Sequence, residues 1–152
     1  MGSYNEYLDN ERLEKERKDF LKWKKSISCE GNPQKGDSVW NIIMDGPLDS
    51  PYAGGKFKIK ITFQKDYPES KPKFVFITPI CHINIYKTTI CLGSLNNYDK
   101  NSSITKFLSQ IFMMLTSPNE QDAYPEYKDL YINDYSGYLR KAREMTRDYA
   151  KI

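Results

Sequence analysis

At 152 residues the chain has the length of one domain, and a domain of that size buries roughly 70% of its unfolded surface without needing disulfides or metals. Hydrophobic residues at 39%, aromatics at 14% and a mean hydropathy of -0.72 exclude a wholly disordered chain, and apolar runs no longer than Ile111 to Leu115 or Phe74 to Ile77 exclude a membrane helix, which needs roughly 18 residues. A net charge of +3 and a pI near 8.6 are too mild for a dedicated nucleic-acid binder, whose domain pI exceeds about 9, so neither nucleic acid nor a membrane is an expected partner.

The first 25 residues are dense in charge and hold no apolar stretch of the signal-peptide kind, so a cytoplasmic protein with access to the nucleus is expected. Met1-Gly2 is not read as a myristoylation signal, because Glu6 stands where that motif wants Ser or Thr. Tyr4 to Lys25 contains no Gly or Pro and is rich in Glu, Lys, Arg and Leu, which predicts a helix. Its apolar stripe is thin, with Leu13, Phe20 and Leu21 interrupted by Arg17, as on a helix at a domain surface. Seven Lys/Arg against four Asp/Glu between Glu11 and Lys25 account for the whole net charge of the chain. Most such runs are solvated helix faces.

Gly31, Asn32, Pro33 and Gly36 predict a turn between two short strands, the second over Val39 to Met44. Phe57 to Phe63 alternates apolar and polar residues throughout, the pattern of a strand with one buried face. A further strand is predicted over Phe74 to Ile77, and short turns make the four an antiparallel meander. From Thr78 to Ser103 no period persists, and an irregular connection of that length inside a compact domain is usually functional. Ile104, Phe107, Leu108, Ile111, Phe112 and Leu115 predict a buried helix, Pro125 to Asn133 a shorter one, and Tyr135 to Tyr149 a terminal amphipathic one. The expected class is α+β, in a single domain over 1–152: an N-terminal helix, a four-stranded antiparallel meander sheet, a long active-site loop, then C-terminal helices.

Three cysteines, Cys29, Cys81 and Cys91, form no disulfide framework in a reducing compartment. His82 is the only histidine, and Cys81, Asn84 and Cys91 share its loop. A zinc site would need four N/S ligands, and Cys81, His82 and Cys91 supply three without a C-x-x-C pair, so no metal is expected. A cysteine hydrolase would need the imidazole against a thiol, which proximity in sequence does not establish.

A third reading comes from the motifs. Tyr67-Pro68, Lys71-Pro72-Lys73, Phe76, His82-Ile83-Asn84 and Ile90-Cys91-Leu92 stand in the order and spacing of the ubiquitin-conjugating enzyme core, which the chain resembles from roughly Arg12 to Ala150. Trp40, Gly46-Pro47, Asp49-Ser50-Pro51-Tyr52, Gly54-Gly55 and Phe57 resemble the family upstream. Ser117-Pro118-Asn119 through Asp122, Pro125-Glu126 and Ala142-Arg143-Glu144 do so downstream. No one motif is diagnostic, but their joint order is specific.

The resemblance implies a carrier that takes ubiquitin or a ubiquitin-like modifier from an activating enzyme as a thioester on Cys91, then gives it to a substrate lysine or a ligase cysteine. A thiolate both attacks and leaves acyl groups readily. No cofactor is implied, since ATP is used by the activating enzyme, and a monomer is expected. Asn84 would stabilise the oxyanion or hold the active-site loop, Asp122 would orient or desolvate the incoming lysine, and His82 would brace the loop as a structural residue. Arg12, Lys15 and Lys18 lie on the helix that docks the activating enzyme in this family, where positive charge steers an acidic partner. The alternative is a catalytically silent variant of the same fold, acting as a binding module or partner subunit.

Three departures from the family pattern stand out. Ile83 replaces a proline, which restores a backbone N–H that needs a partner. If that amide is free, Ile83→Pro stabilises the loop, and this is the expected outcome. The segment from Asn84 to Cys91 is one residue short, and Gly93 stands where Asp is common. Tyr98-Asp99-Lys100-Asn101 and Glu69 change the surface that meets ligases, so a generic RING ligase should fit poorly.

Overall fold

The computed structural model describes residues 4–151, apart from the side chains of residues 94 and 95. Met1-Gly2 lies outside them. The predicted N-terminal helix starts late: α1 spans Glu11–Trp23, and a 3-10 turn over Lys24–Ile27 follows. Asn10 is extended and its side chain accepts from the Leu13 amide at 2.8 Å, satisfying one of the free donors of the first turn. Residues before it run as extended chain beside 36–38, with the Leu8 amide on the Gly36 carbonyl at 2.7 Å and the Ser38 amide on the Glu6 carbonyl at 3.0 Å. Helix propensity over 4–10 loses to this pairing.

Strands β1 (Cys29–Glu30), β2 (Val39–Asp45), β3 (Lys56–Thr62) and β4 (Lys73–Phe76) form the antiparallel meander in sequence order. Its register sets Trp40 opposite Ile61 and Ile61 opposite Phe74, and Ile42 opposite Ile59 and Ile59 opposite Phe76. Directly opposed residues share a face, so these rows form one apolar surface, while Asn41, Lys58 and Lys60 lie on the other. Against that surface pack α1, through Phe20 on Trp40 at 5.6 Å between ring centroids, and α3 (Ile104–Thr116), through Phe107 on Phe74 at 5.7 Å.

The stripe of α1 looked thin because one of its buried positions is a carboxylate. Glu16, 1% exposed, lies between Leu13 and Phe20 on the inward face. It accepts from the Ile104 amide at 2.8 Å at the start of α3 and from the Arg12 Nε at 2.9 Å. The buried charge is thus paired and hydrogen-bonded, as burial demands.

The long connection is not wholly irregular. It holds a two-residue hairpin, β5 (Ile85–Tyr86) with β6 (Thr89–Ile90), and a short helix α2 (Gly93–Asn96). Two-residue strands are too brief to show a period of two. Lys87 takes the left-handed conformation in the hairpin turn, φ 56°. The Phe76 amide donates to the Thr88 carbonyl at 3.0 Å, which ties the hairpin to the edge of β4. α4 (Pro125–Asn133) and α5 (Tyr135–Tyr149) have the bounds the sequence predicts. The fold class is the expected one.

Candidate active site

The segment 80–85 is buried throughout and leads into β5 at Ile85. It is held by side chains arriving from two other parts of the chain and by backbone groups of two more. From the turn after β2, the Tyr52 hydroxyl donates to the Cys81 carbonyl at 2.6 Å. That turn closes tightly at Gly46, where an added Cβ would lie 1.9 Å from the Tyr52 carbonyl oxygen, so only glycine fits. From α5, the Tyr138 hydroxyl accepts from the Ile83 amide at 3.3 Å and lies 3.5 Å from the Tyr52 hydroxyl. The amide that proline would lack therefore has a partner. This overturns the expectation that Ile83→Pro would stabilise the loop, because the native N–H is already paired inside the core.

His82 is fully buried, and both ring nitrogens are engaged by the backbone. Nδ1 accepts from the Asn84 amide at 3.0 Å, which leaves the proton on Nε2, donated to the Met114 carbonyl at 2.8 Å. Met114 is among the last four residues of α3, whose carbonyls have no helical partner. Burial holds the imidazole's pKa down at about 4, against the opposing effect of the Met114 carbonyl. It is neutral at neutral pH and joins the loop to α3.

Asn84 is also fully buried. Its Nδ2 donates to the Asn119 carbonyl at 2.8 Å and to the Asp122 carbonyl at 3.3 Å, while its Oδ1 accepts from the Asn119 amide at 2.8 Å. The side chain thus spans from the cysteine loop to the turn ahead of α4. The Asp122 carboxylate is exposed and accepts from the Asn119 Nδ2 at 2.9 Å. Cys91 is locked to the same group: its amide donates to the Asn84 carbonyl at 2.8 Å.

The three thiols differ sharply. Cys29 and Cys81 are buried, and burial pushes each up to about 12. Cys91 is partly exposed, with the Asn96 Nδ2 3.9 Å from its sulfur. A residue that sequence reasoning missed lies beside this loop: Tyr124, whose amide donates to the Ile83 carbonyl at 2.7 Å and whose ring packs on Tyr86 at 5.7 Å between centroids. Burial first, and then Cys91 itself, raise the pKa of this phenol. Its only signal in the sequence was an aromatic residue just before the Pro125 that opens α4.

The cations of α1 part company. The Arg12 guanidinium, tied to Glu16, also donates to the Ser102 carbonyl at 2.9 Å and lies 5.6 Å from the Tyr67 ring centroid. Lys15 and Lys18 are exposed, Lys15 pairing with Asp19 at 3.0 Å. Both line a cleft of about 450 Å³ with Tyr7, Glu14 and Lys35.

The two departures that the resemblance places on a ligase-docking surface, Glu69 and Tyr98 to Asn101, meet in space. Lys100 pairs with Glu69 at 3.2 Å, and the Tyr98 hydroxyl donates to the Pro68 carbonyl at 2.7 Å.

A family model described as ubiquitin-conjugating enzyme matches residues 12–146. That span contains the whole sheet, the cysteine loop and most of α5. The chain belongs to the ubiquitin-conjugating enzyme family.

Proposed function

We propose that this protein is an active carrier of ubiquitin or a ubiquitin-like modifier. The Cys91 thiolate attacks the thioester by which an activating enzyme holds the modifier's C-terminal carbonyl. The enzyme's thiolate leaves and a new thioester forms on Cys91. A substrate lysine amine, or a ligase cysteine, then takes the acyl group and releases the Cys91 thiolate. No redox change or cofactor enters, and ATP is consumed upstream of the carrier.

The observation that carries this reading is the contrast among the cysteines within a chain of this family. Cys91 alone is partly exposed, in a loop fixed by Asn84, whereas the other two thiols are buried with raised pKa values. A buried, un-ionised thiol neither attacks nor leaves well. The second reading, a catalytically silent binding module, draws on Asn84, whose amide hydrogens are both taken by backbone carbonyls.

The test is charging with activating enzyme, ATP and a panel of modifiers, read as a thiol-reducible adduct and located by mass spectrometry. We expect an adduct on Cys91 that Cys91→Ala abolishes and that Cys29→Ala and Cys81→Ala leave in place. A modifier bonded to Cys29 or Cys81 would remove the assignment, and no adduct with any modifier would leave the silent module.

A further inference from the structure

Peptide units are planar, so a unit bonded at both its N–H and its carbonyl has a fixed orientation. Two successive units of the cysteine loop are held in this way. In the unit joining His82 to Ile83, the His82 carbonyl accepts from the Ile85 amide at 3.2 Å and the Ile83 amide donates to the Tyr138 hydroxyl at 3.3 Å. In the next, the Ile83 carbonyl accepts from the Tyr124 amide at 2.7 Å and the Asn84 amide donates to His82 Nδ1 at 3.0 Å. Of these four partners, only the Tyr138 hydroxyl is a side chain brought from another element, the helix α5.

The orientation of these units reaches the reacting cysteine. The Asn84 carbonyl that follows them accepts from the Cys91 amide at 2.8 Å, and the Asn84 side chain donates to the Asn119 and Asp122 carbonyls at 2.8 and 3.3 Å. Turning the 82–83 unit therefore displaces the cysteine and the 119–122 turn together. Tyr138 is 2% exposed, so an incoming modifier or lysine meets the loop and not the phenol.

We infer that Tyr138 is a positioning residue for acyl transfer: by accepting from the Ile83 amide, its hydroxyl fixes the peptide unit from which Asn84 and Cys91 are aimed. This rests on the carrier reading above. The family resemblance places a proline where Ile83 stands, and a proline ring fixes φ without any amide hydrogen to satisfy. In this chain a hydrogen bond from α5 does the holding, and it depends on one hydroxyl 55 residues away. Misplacing reacting groups by a change outside the site lowers the rate even when every reacting group is still present.

The test is a cycle of wild type, Tyr138→Phe, Ile83→Pro and the double variant, read as single-turnover discharge of the Cys91 thioester over a range of free lysine concentrations. Tyr138→Phe keeps the ring against Tyr131 and Tyr135, at 4.9 and 6.1 Å between centroids, and removes only the hydroxyl. We expect it to charge, to lower the limiting discharge rate by about tenfold, and to leave the lysine concentration for half-maximal rate unchanged. In the Ile83→Pro background the same substitution should change the limiting rate by less than about twofold, because no amide is left to strand. A loss that came from the packing of α5 or from the Tyr52 contact would be equal in both backgrounds, and that result would overturn the inference. So would an unchanged limiting rate in Tyr138→Phe. A second measurement needs neither the proline variant nor a modifier: the Cys91 amide should exchange faster in Tyr138→Phe than in wild type while β3 keeps its protection, and equal protection at Cys91 would also overturn the inference. If wild type takes up no modifier at all, the carrier reading fails and this inference with it. If wild type is charged and the cycle shows no coupling, only the inference falls.

Discussion

The Ile83 amide donates to the Tyr138 hydroxyl at 3.3 Å, across 55 residues of sequence. Since a backbone N–H can only donate, the Tyr138 hydrogen is directed to the Tyr52 oxygen 3.5 Å away, and Tyr52 donates in turn to the Cys81 carbonyl. Two phenols from distant parts of the chain thereby close a ring of hydrogen bonds on Cys81 to Ile83. All four bonded residues are buried, where an unpaired polar group is costly.

Ile83→Pro is therefore expected to destabilise the protein by about 1 to 3 kcal/mol, through loss of the donor, besides removing a fully buried apolar side chain. Tyr138→Phe should cost a similar amount, because it strands the same amide. The double variant should cost less than the sum, since both remove one interaction. Urea denaturation of the four proteins measures this, and a higher midpoint for Ile83→Pro would show that the amide contributes nothing.

His82 should not titrate with an ordinary histidine profile. Burial lowers its folded pKa to about 4, whereas an unfolded chain takes up the proton near 6.5. Between those values the unfolded state binds more protons, so stability falls as pH drops from about 6.5 to 4, by roughly 3 kcal/mol over the window. Above it the contribution is flat. As the only histidine, His82 gives one set of imidazole NMR signals, which should stay unmoved from pH 8 to 5. A midpoint near 6.5 would contradict its burial.

Asn84→Ala removes three hydrogen bonds to the 119–122 turn. An oxyanion role alone would slow lysine discharge and leave the fold intact. The structure adds a stability cost of about 2 kcal/mol from the two carbonyls and one amide left without this partner. Hydrogen exchange should rise at Asn119 and Tyr124, while charging of Cys91 persists. Unchanged exchange there would detach Asn84 from the turn.

The cations of α1 should separate by assay. Arg12→Ala breaks a contact with a buried carboxylate and should lower stability by about 3 kcal/mol, in the range for leaving a buried charge unpaired. Lys15→Ala and Lys18→Ala should leave stability within about 0.5 kcal/mol of wild type. They should slow charging by the activating enzyme, and the deficit should shrink as salt rises. Equal charging rates at low salt would remove these lysines from the docking surface.

Alkylation at neutral pH should modify Cys91 alone. Cys29 and Cys81 hold their protons up to about 12 and are buried besides. Intact-mass measurement after iodoacetamide should show one adduct on the folded protein and three in denaturant. More than one adduct on the folded protein would contradict this burial.

Features that repeat along one element are legible from residue order alone. The alternation over Phe57 to Phe63 yields β3, and the helical spacing of Ile104 to Leu115 yields α3. Pro125 and Tyr149 bound the last two helices, and the patterns of β3, α3 and α5 each record one buried face of one element. The ordered motifs around His82, Asn84 and Cys91 likewise sufficed to name the family. Pairings between distant segments leave no such local trace. The start of α1 depends on chain beside 36–38, and the buried face of Glu16 on an amide 88 residues away. The fate of Asn84's hydrogens depends on carbonyls 35 and 38 residues away, and the partner of Ile83 on a phenol in α5. The place of Tyr124 beside the cysteine loop depends on its amide's bond to the Ile83 carbonyl. Hydrophobic periodicity reports which side of an element leaves water, whereas a hydrogen bond between distant segments depends on where two backbones are brought together, and that is a property of the packed chain.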